Sequence, residues 1–121
     1  MEEWRGILGA YGINGERQTM KMNTMSDGLK TRVVFCVLAL ERPHVIMLDE
    51  PTNHLDMGGI NSLASAINKF DGGMILVSHD FRLLKQVAQE IWVCDNKTIK
   101  PWKKEGGINS YKKSLKADGD A

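Results

Sequence analysis

Apolar residues along this chain change their spacing several times, and each change predicts a different element. Trp4, Ile7, Leu8 and Tyr11 recur at helical spacing, which predicts a helix over residues 2–11 that Gly12 is placed to stop. Residues 14–24 are polar and predict a loop with little regular structure. Ser26 and Asp27 then offer N-cap oxygens to a long apolar-rich helix, which runs to about residue 41 and is closed by Pro43.

Val45-Ile46-Met47-Leu48 is a short unbroken apolar run, the pattern of a buried parallel strand, and it ends in Asp49-Glu50. Asp56 can cap a second helix that carries Ile60, Leu63, Ala64 and Ile67 on one face. After a turn at Asp71-Gly72-Gly73, Met74-Ile75-Leu76-Val77 predicts a second buried strand, ending at Ser78-His79-Asp80. Leu83, Leu84, Val87 and Ala88 stripe a third helix, and Ile91-Trp92-Val93-Cys94 predicts a third strand. A turn at Asp95-Asn96-Lys97 leads to a short strand ending near Trp102, and a weak final helix is expected near residues 110–115.

Strands alternating with helices predict an α/β fold with a parallel sheet flanked by helices. In such sheets ligands lie outside the carboxyl ends of the strands. Asp49-Glu50 and Ser78-His79-Asp80 both stand at ends of that kind, so two polar clusters point to one sheet edge. The sequence shows no internal repeat and no low-complexity segment.

Composition narrows the class. A chain of 121 residues, 42% hydrophobic and 26% charged, reads as a folded domain or a piece of a larger one, not as a disordered tail. The net charge of +1 gives no general case for a nucleic-acid or membrane surface. Lys97, Lys100, Lys103, Lys104, Lys112, Lys113 and Lys116 make the one local basic excess; scattered as they are, they read as a solvated surface. Cys36 and Cys94 sit in apolar runs and are expected to be buried free thiols, because two cysteines form neither a metal spacing nor a disulfide framework. With no signal peptide and no apolar run near the length of a membrane span, the cell interior is the expected compartment.

The chemistry starts at the strand ends. An Asp there, Asp49, is placed to hold Mg²⁺ beside nucleotide phosphates, and the Glu directly after it, Glu50, can polarise a water for attack on a γ-phosphate. Two acids at a strand end are, on their own, an ordinary turn. The continuation Asp49-Glu50-Pro51-Thr52-Asn53-His54-Leu55-Asp56 is more specific: it resembles the extended Walker B motif and D-loop of the ATP-binding-cassette ATPases. Met25-Ser26-Asp27-Gly28-Leu29 resembles that family's signature motif, at the start of a helix whose amides suit an anion. His79 corresponds to the family's switch histidine.

The resemblance covers nearly all residues from Trp4 to Leu115 and is closest to the second cassette of the eukaryotic F subfamily, through Leu29-Lys30 with Arg32, the 52–56 loop, residues 78–84 and the ending Glu90-Ile91-Trp92-Val93-Cys94. It implies part of a P-loop NTPase domain: residues 1–42 carry part of the helical subdomain and the signature helix, 43–95 the Walker B to H-loop core, and 96–121 a strand and helix tail. It further implies ATP and Mg²⁺ as cofactors, with Asp49 serving the metal, Glu50 as general base and His79 at the γ-phosphate. Ser26, Asp27, Gly28 and Asp56 would complete a site shared with a second cassette of the same parent. The implied partners are ribosomes or pre-ribosomal particles rather than a membrane, in the cytoplasm and also the nucleolus.

Departures from the family pattern set limits. No Gly-x-x-x-x-Gly-Lys-Ser/Thr stretch occurs, so these residues provide no phosphate-cradling loop. Asp27 stands where most cassettes have Gly, Leu29 replaces the usual Gln, and Met57-Gly58-Gly59 makes a poor first helical turn, each Gly costing about 1 kcal/mol against Ala. A sheet cut at one side is expected to expose an edge and an apolar face, leaving this stretch marginally stable alone. The rival readings are a non-catalytic interaction module or inactive truncated product, and the nucleotide-binding domain of a transporter.

Overall fold

The structure, a computed structural model, describes residues 2–119. In chain order its regular elements are α1 (Glu2–Ala10), α2 (Asp27–Leu40), β1 (Val45–Asp49), α3 (Met57–Lys69), β2 (Gly73–Val77), α4 (Phe81–Val87), β3 (Trp92–Asp95), β4 (Thr98–Pro101) and α5 (Gly107–Gly119). They fall into two compact units, residues 1–83 and 84–121, with α4 running across the division.

In the first unit, α2 packs on α3 and on α1. Ile13, Phe35, Cys36, Ile46, Ile60, Leu63, Ala64 and Leu83 are buried and form its core. The predicted stripe of α3 is therefore the face that faces inward. Phe35 stands edge-on to Phe70, their ring centres 6.4 Å apart, and tilts against Tyr11 at 6.3 Å. The segment expected to be irregular holds two short 3-10 turns, Gly15–Gln18 and Met22–Thr24. The Gln18 amide fixes the first of these by donating to the carbonyls of Ile13 (2.8 Å) and Arg5 (3.0 Å), which a reading of apolar periodicity does not detect.

β1 and β2 pair in parallel, with Val45 opposite Gly73 and Asp49 opposite Val77. The register is locked at both ends, by Gly73 N–H on the His44 carbonyl and Glu50 N–H on the Val77 carbonyl, both 2.8 Å. Ile46 is buried, but the alternate face is bare: Val45, Ile75 and Val77 are each 52% exposed and Met47 75%. Strands expected to be buried are thus covered on one face only within the first unit, since side chains alternate between faces and the second face is exposed.

In the second unit β3 does not extend the parallel sheet. It pairs antiparallel with β4, Trp92 opposite Pro101 and Asp95 opposite Thr98. The two residues between them, Asn96 (φ 47°) and Lys97 (φ 59°), both take left-handed conformations, and two such residues favour a tight hairpin whose twist matches its strands. A two-stranded hairpin covers little surface, so Cys94 is exposed, contrary to the burial its apolar neighbours suggested, while Cys36 is buried as expected. Beyond β4, Trp102 N–H donates to the Ile91 carbonyl at 2.8 Å. The Trp102 ring meets Tyr111 edge-on at 5.2 Å, and its indole N–H donates to Ser110 Oγ at 2.8 Å. Helix α5 is longer than the stretch its weak pattern predicted, and it buries no residue completely.

Candidate functional site

The parallel register of β1 and β2 brings their carboxyl ends side by side, and with them the two polar clusters. Glu50 follows β1 in a left-handed conformation (φ 46°), its N–H held by Val77, the last residue of β2. That turn carries the Glu50 carboxylate to His79, whose Nδ1 hydrogen-bonds Glu50 Oε1. Asp49, the last residue of β1, is exposed. A carboxylate and an imidazole in contact can orient a water and exchange its proton.

His79 is followed by an acid with a different task. Asp80 accepts from the Arg82 backbone N–H (2.9 Å) and from its guanidinium (3.0 and 2.7 Å), at the start of α4. The hydrogen bonds from Arg82 hold the Asp80 carboxyl below its ordinary range. A further guanidinium nitrogen of Arg82 lies 3.5 Å from Met57 Sδ, at the first turn of α3.

The remaining sequence candidates gather elsewhere in the same unit. Ser26 Oγ accepts from Leu29 N–H (3.2 Å) and Asp56 Oδ1 from Gly59 N–H (2.8 Å), so both predicted caps form. The two capped N-termini line one open cavity of about 700 Å³ with Ser26, Asp27 and Gly28 on one side and His54, Asp56, Gly58 and Gly59 on the other. Arg17, Arg32, Met20 and Leu29 complete its wall. Two helix starts and two guanidiniums give a concave surface suited to an anion, with Asp27 and Asp56 opposing that charge. Asp49, Glu50 and His79 do not line this cavity.

Sequence reasoning assigned four residues here no part in the site. Gly59, in the first turn of α3, is buried, and a Cβ on Gly28 would fall 3.2 Å from its Cα. Arg32 donates to the Gly12 carbonyl (3.1 Å) and to Ser62 Oγ, joining the loop after α1 to α3. Arg17 carried no periodic signal at all, whereas His54, in a left-handed conformation (φ 67°), is marked only by its place in the loop.

Among the described residues no cluster of three or more His, Cys, Asp or Glu is gathered to hold a metal ion, and no helix is long and apolar enough to cross a membrane. A protein-family model described as ABC transporter matches residues 1–53. The chain is 64% identical over 116 residues, 96% of its length, to ABC transporter F family member 2 of Dictyostelium discoideum. It is 57% identical over 112 residues, 93% of its length, to the ABC transporter ATP-binding protein ARB1 of Saccharomyces cerevisiae. To Protein GCN20 of the same yeast it is 42% identical over 120 residues, 99% of its length. It spans 19%, 18% and 16% of the length of these three curated relatives. That similarity extends over nearly the whole chain, and the relatives whose names give a subfamily are F-type ATP-binding-cassette proteins.

Proposed function

We propose that this chain contributes the signature, Walker B, D-loop and H-loop parts of an ATP-hydrolysing cassette that acts with ribosomes in translation or ribosome assembly. The observation that carries the reading is the contact of Glu50 with His79 at adjacent strand ends. Glu50 would take the proton of the attacking water. His79, held by Glu50, would donate to the γ-phosphate as negative charge shifts onto the leaving group. Asp49 offers an exposed hard oxygen at a strand end, the donor Mg²⁺ takes when phosphates supply most of its shell, and it is the residue that would hold that ion. When bound, the metal would offset phosphate charge.

The cavity between the starts of α2 and α3 would receive the γ-phosphate of a nucleotide carried by a second cassette of the same parent, through Ser26 and the amides near Gly28. Asp56 would both cap α3 and lie at the junction of the two cassettes. The loop that cradles the β- and γ-phosphates has to come from residues outside these 121, because this sequence lacks its pattern. Functionally, residues 1–42 form the signature part, 43–95 the catalytic part and 96–121 a tail. The cytoplasm, with the nucleolus, is the location this reading implies.

The test uses the complete polypeptide as cells make it. Magnesium-dependent ATP hydrolysis together with co-sedimentation with ribosomal particles supports the reading. Partition into membranes would favour a transporter role instead, and no hydrolysis would favour a non-catalytic interaction module.

A further inference from the structure

We infer that the second unit, residues 84–121, is a docking surface for the phosphate backbone of duplex RNA. The inference rests on the ribosomal reading above and adds the surface that meets the particle. Between residues 97 and 116 there are seven lysines, and Glu105 is the one acid. The fold distributes them over the β3–β4 hairpin, the loop after it and α5. Lys97 and Lys100 stand on the β3–β4 hairpin, and Trp102, directly after β4, is fastened to α5 through Tyr111 and Ser110. Lys104 Nζ lies 5.1 Å from the centre of the same indole ring, which brings the loop lysine to the helix. On α5, Lys112, Lys113 and Lys116 line one open concavity of about 400 Å³ with Asn109. A row of ammonium groups on one helix matches a row of phosphates, and binding of the two releases counterions.

The hairpin exposes Trp92 and Ile99, but the α5 part of this surface suits a bilayer poorly. Trp102, Ile108 and Tyr111 are half-buried within the unit, which leaves Leu115 as the exposed large apolar residue of α5 and gives little area to insert. Lysine is a point charge without the planar fork that grips carboxylates in pairs, so a phosphate backbone fits better than an acidic peptide.

The experiment measures binding of the complete polypeptide to an RNA duplex of about 16 base pairs over a range of salt concentrations. Lys112→Gln/Lys113→Gln/Lys116→Gln is expected to lose roughly tenfold or more in affinity, with a log–log salt slope shallower by about three. The corresponding triple arginine variant, which keeps the charge, is expected to bind as the wild type does. Equal binding by the glutamine variant overturns the inference, as does a wild-type preference for phosphatidylserine vesicles or polyglutamate over RNA. Wild-type protein that binds this duplex through the three lysines yet fails to sediment with ribosomal particles overturns the ribosomal reading alone.

Discussion

Gly28 in the first turn of α2 and Gly59 in the first turn of α3 meet backbone to backbone, so that a Cβ on Gly28 would stand 3.2 Å from the Gly59 Cα. The atom in the way belongs to main chain and cannot swing aside. Gly28→Ala should therefore destabilise the protein by about 1 kcal/mol or more, although Ala is the better helix former. A fall in the urea midpoint at unchanged slope checks it; a rise would mean that the two helix starts are not in contact.

Local signals in the sequence were sufficient for the elements and their caps. Ser26 and Asp56 form the predicted cap bonds, because a cap is decided within four residues. The strand runs, and the meeting of their polar ends, also follow from pattern, since parallel pairing puts the carboxyl ends together. What depends on a distant partner was not legible. The close approach of Gly28 to the Gly59 backbone is one example, because the two residues lie far apart in sequence. Cys94 looked buried because its neighbours are apolar, yet burial depends on what covers the hairpin. The pairing of β3 with β4 rather than with β2 was set by the left-handed Asn96-Lys97 turn, whose conformation the sequence merely permits.

The two thiols should separate cleanly. Cys94 is exposed, whereas Cys36 is buried and its pKa is raised by that burial, which lowers the fraction of reactive thiolate. Brief alkylation of the folded protein followed by peptide mapping should label Cys94 and spare Cys36. Equal labelling would contradict the packing of α2.

Acid should weaken the start of α4. The Asp80 carboxyl is held below its ordinary range by Arg82, so its stabilising contribution is present above the unfolded-state pKa of about 3.9 and is lost as pH falls through the lower folded value. Asp80→Asn should remove this part of the acid dependence and leave stability at neutral pH reduced. The check is a series of unfolding midpoints from neutral pH downward; an unchanged acid limb in the variant would count against the pairing.

The bare face of Val45, Met47, Ile75 and Val77 bears on the 121 residues taken alone. A parallel pair covered on one side binds hydrophobic dyes and associates. The isolated chain should enhance dye fluorescence and lack a sharp melting transition. A monodisperse sample with a cooperative transition would show that the face is tolerated as it stands.

Whether Glu50 prepares the water is decided by one comparison: single-turnover ATP hydrolysis and ATP binding by the complete polypeptide, with and without Glu50→Gln. Loss of a general base should slow hydrolysis about 100-fold or more while ATP affinity stays within a factor of about three. Hydrolysis at the wild-type rate in that variant would contradict the role given to Glu50 and to its contact with His79.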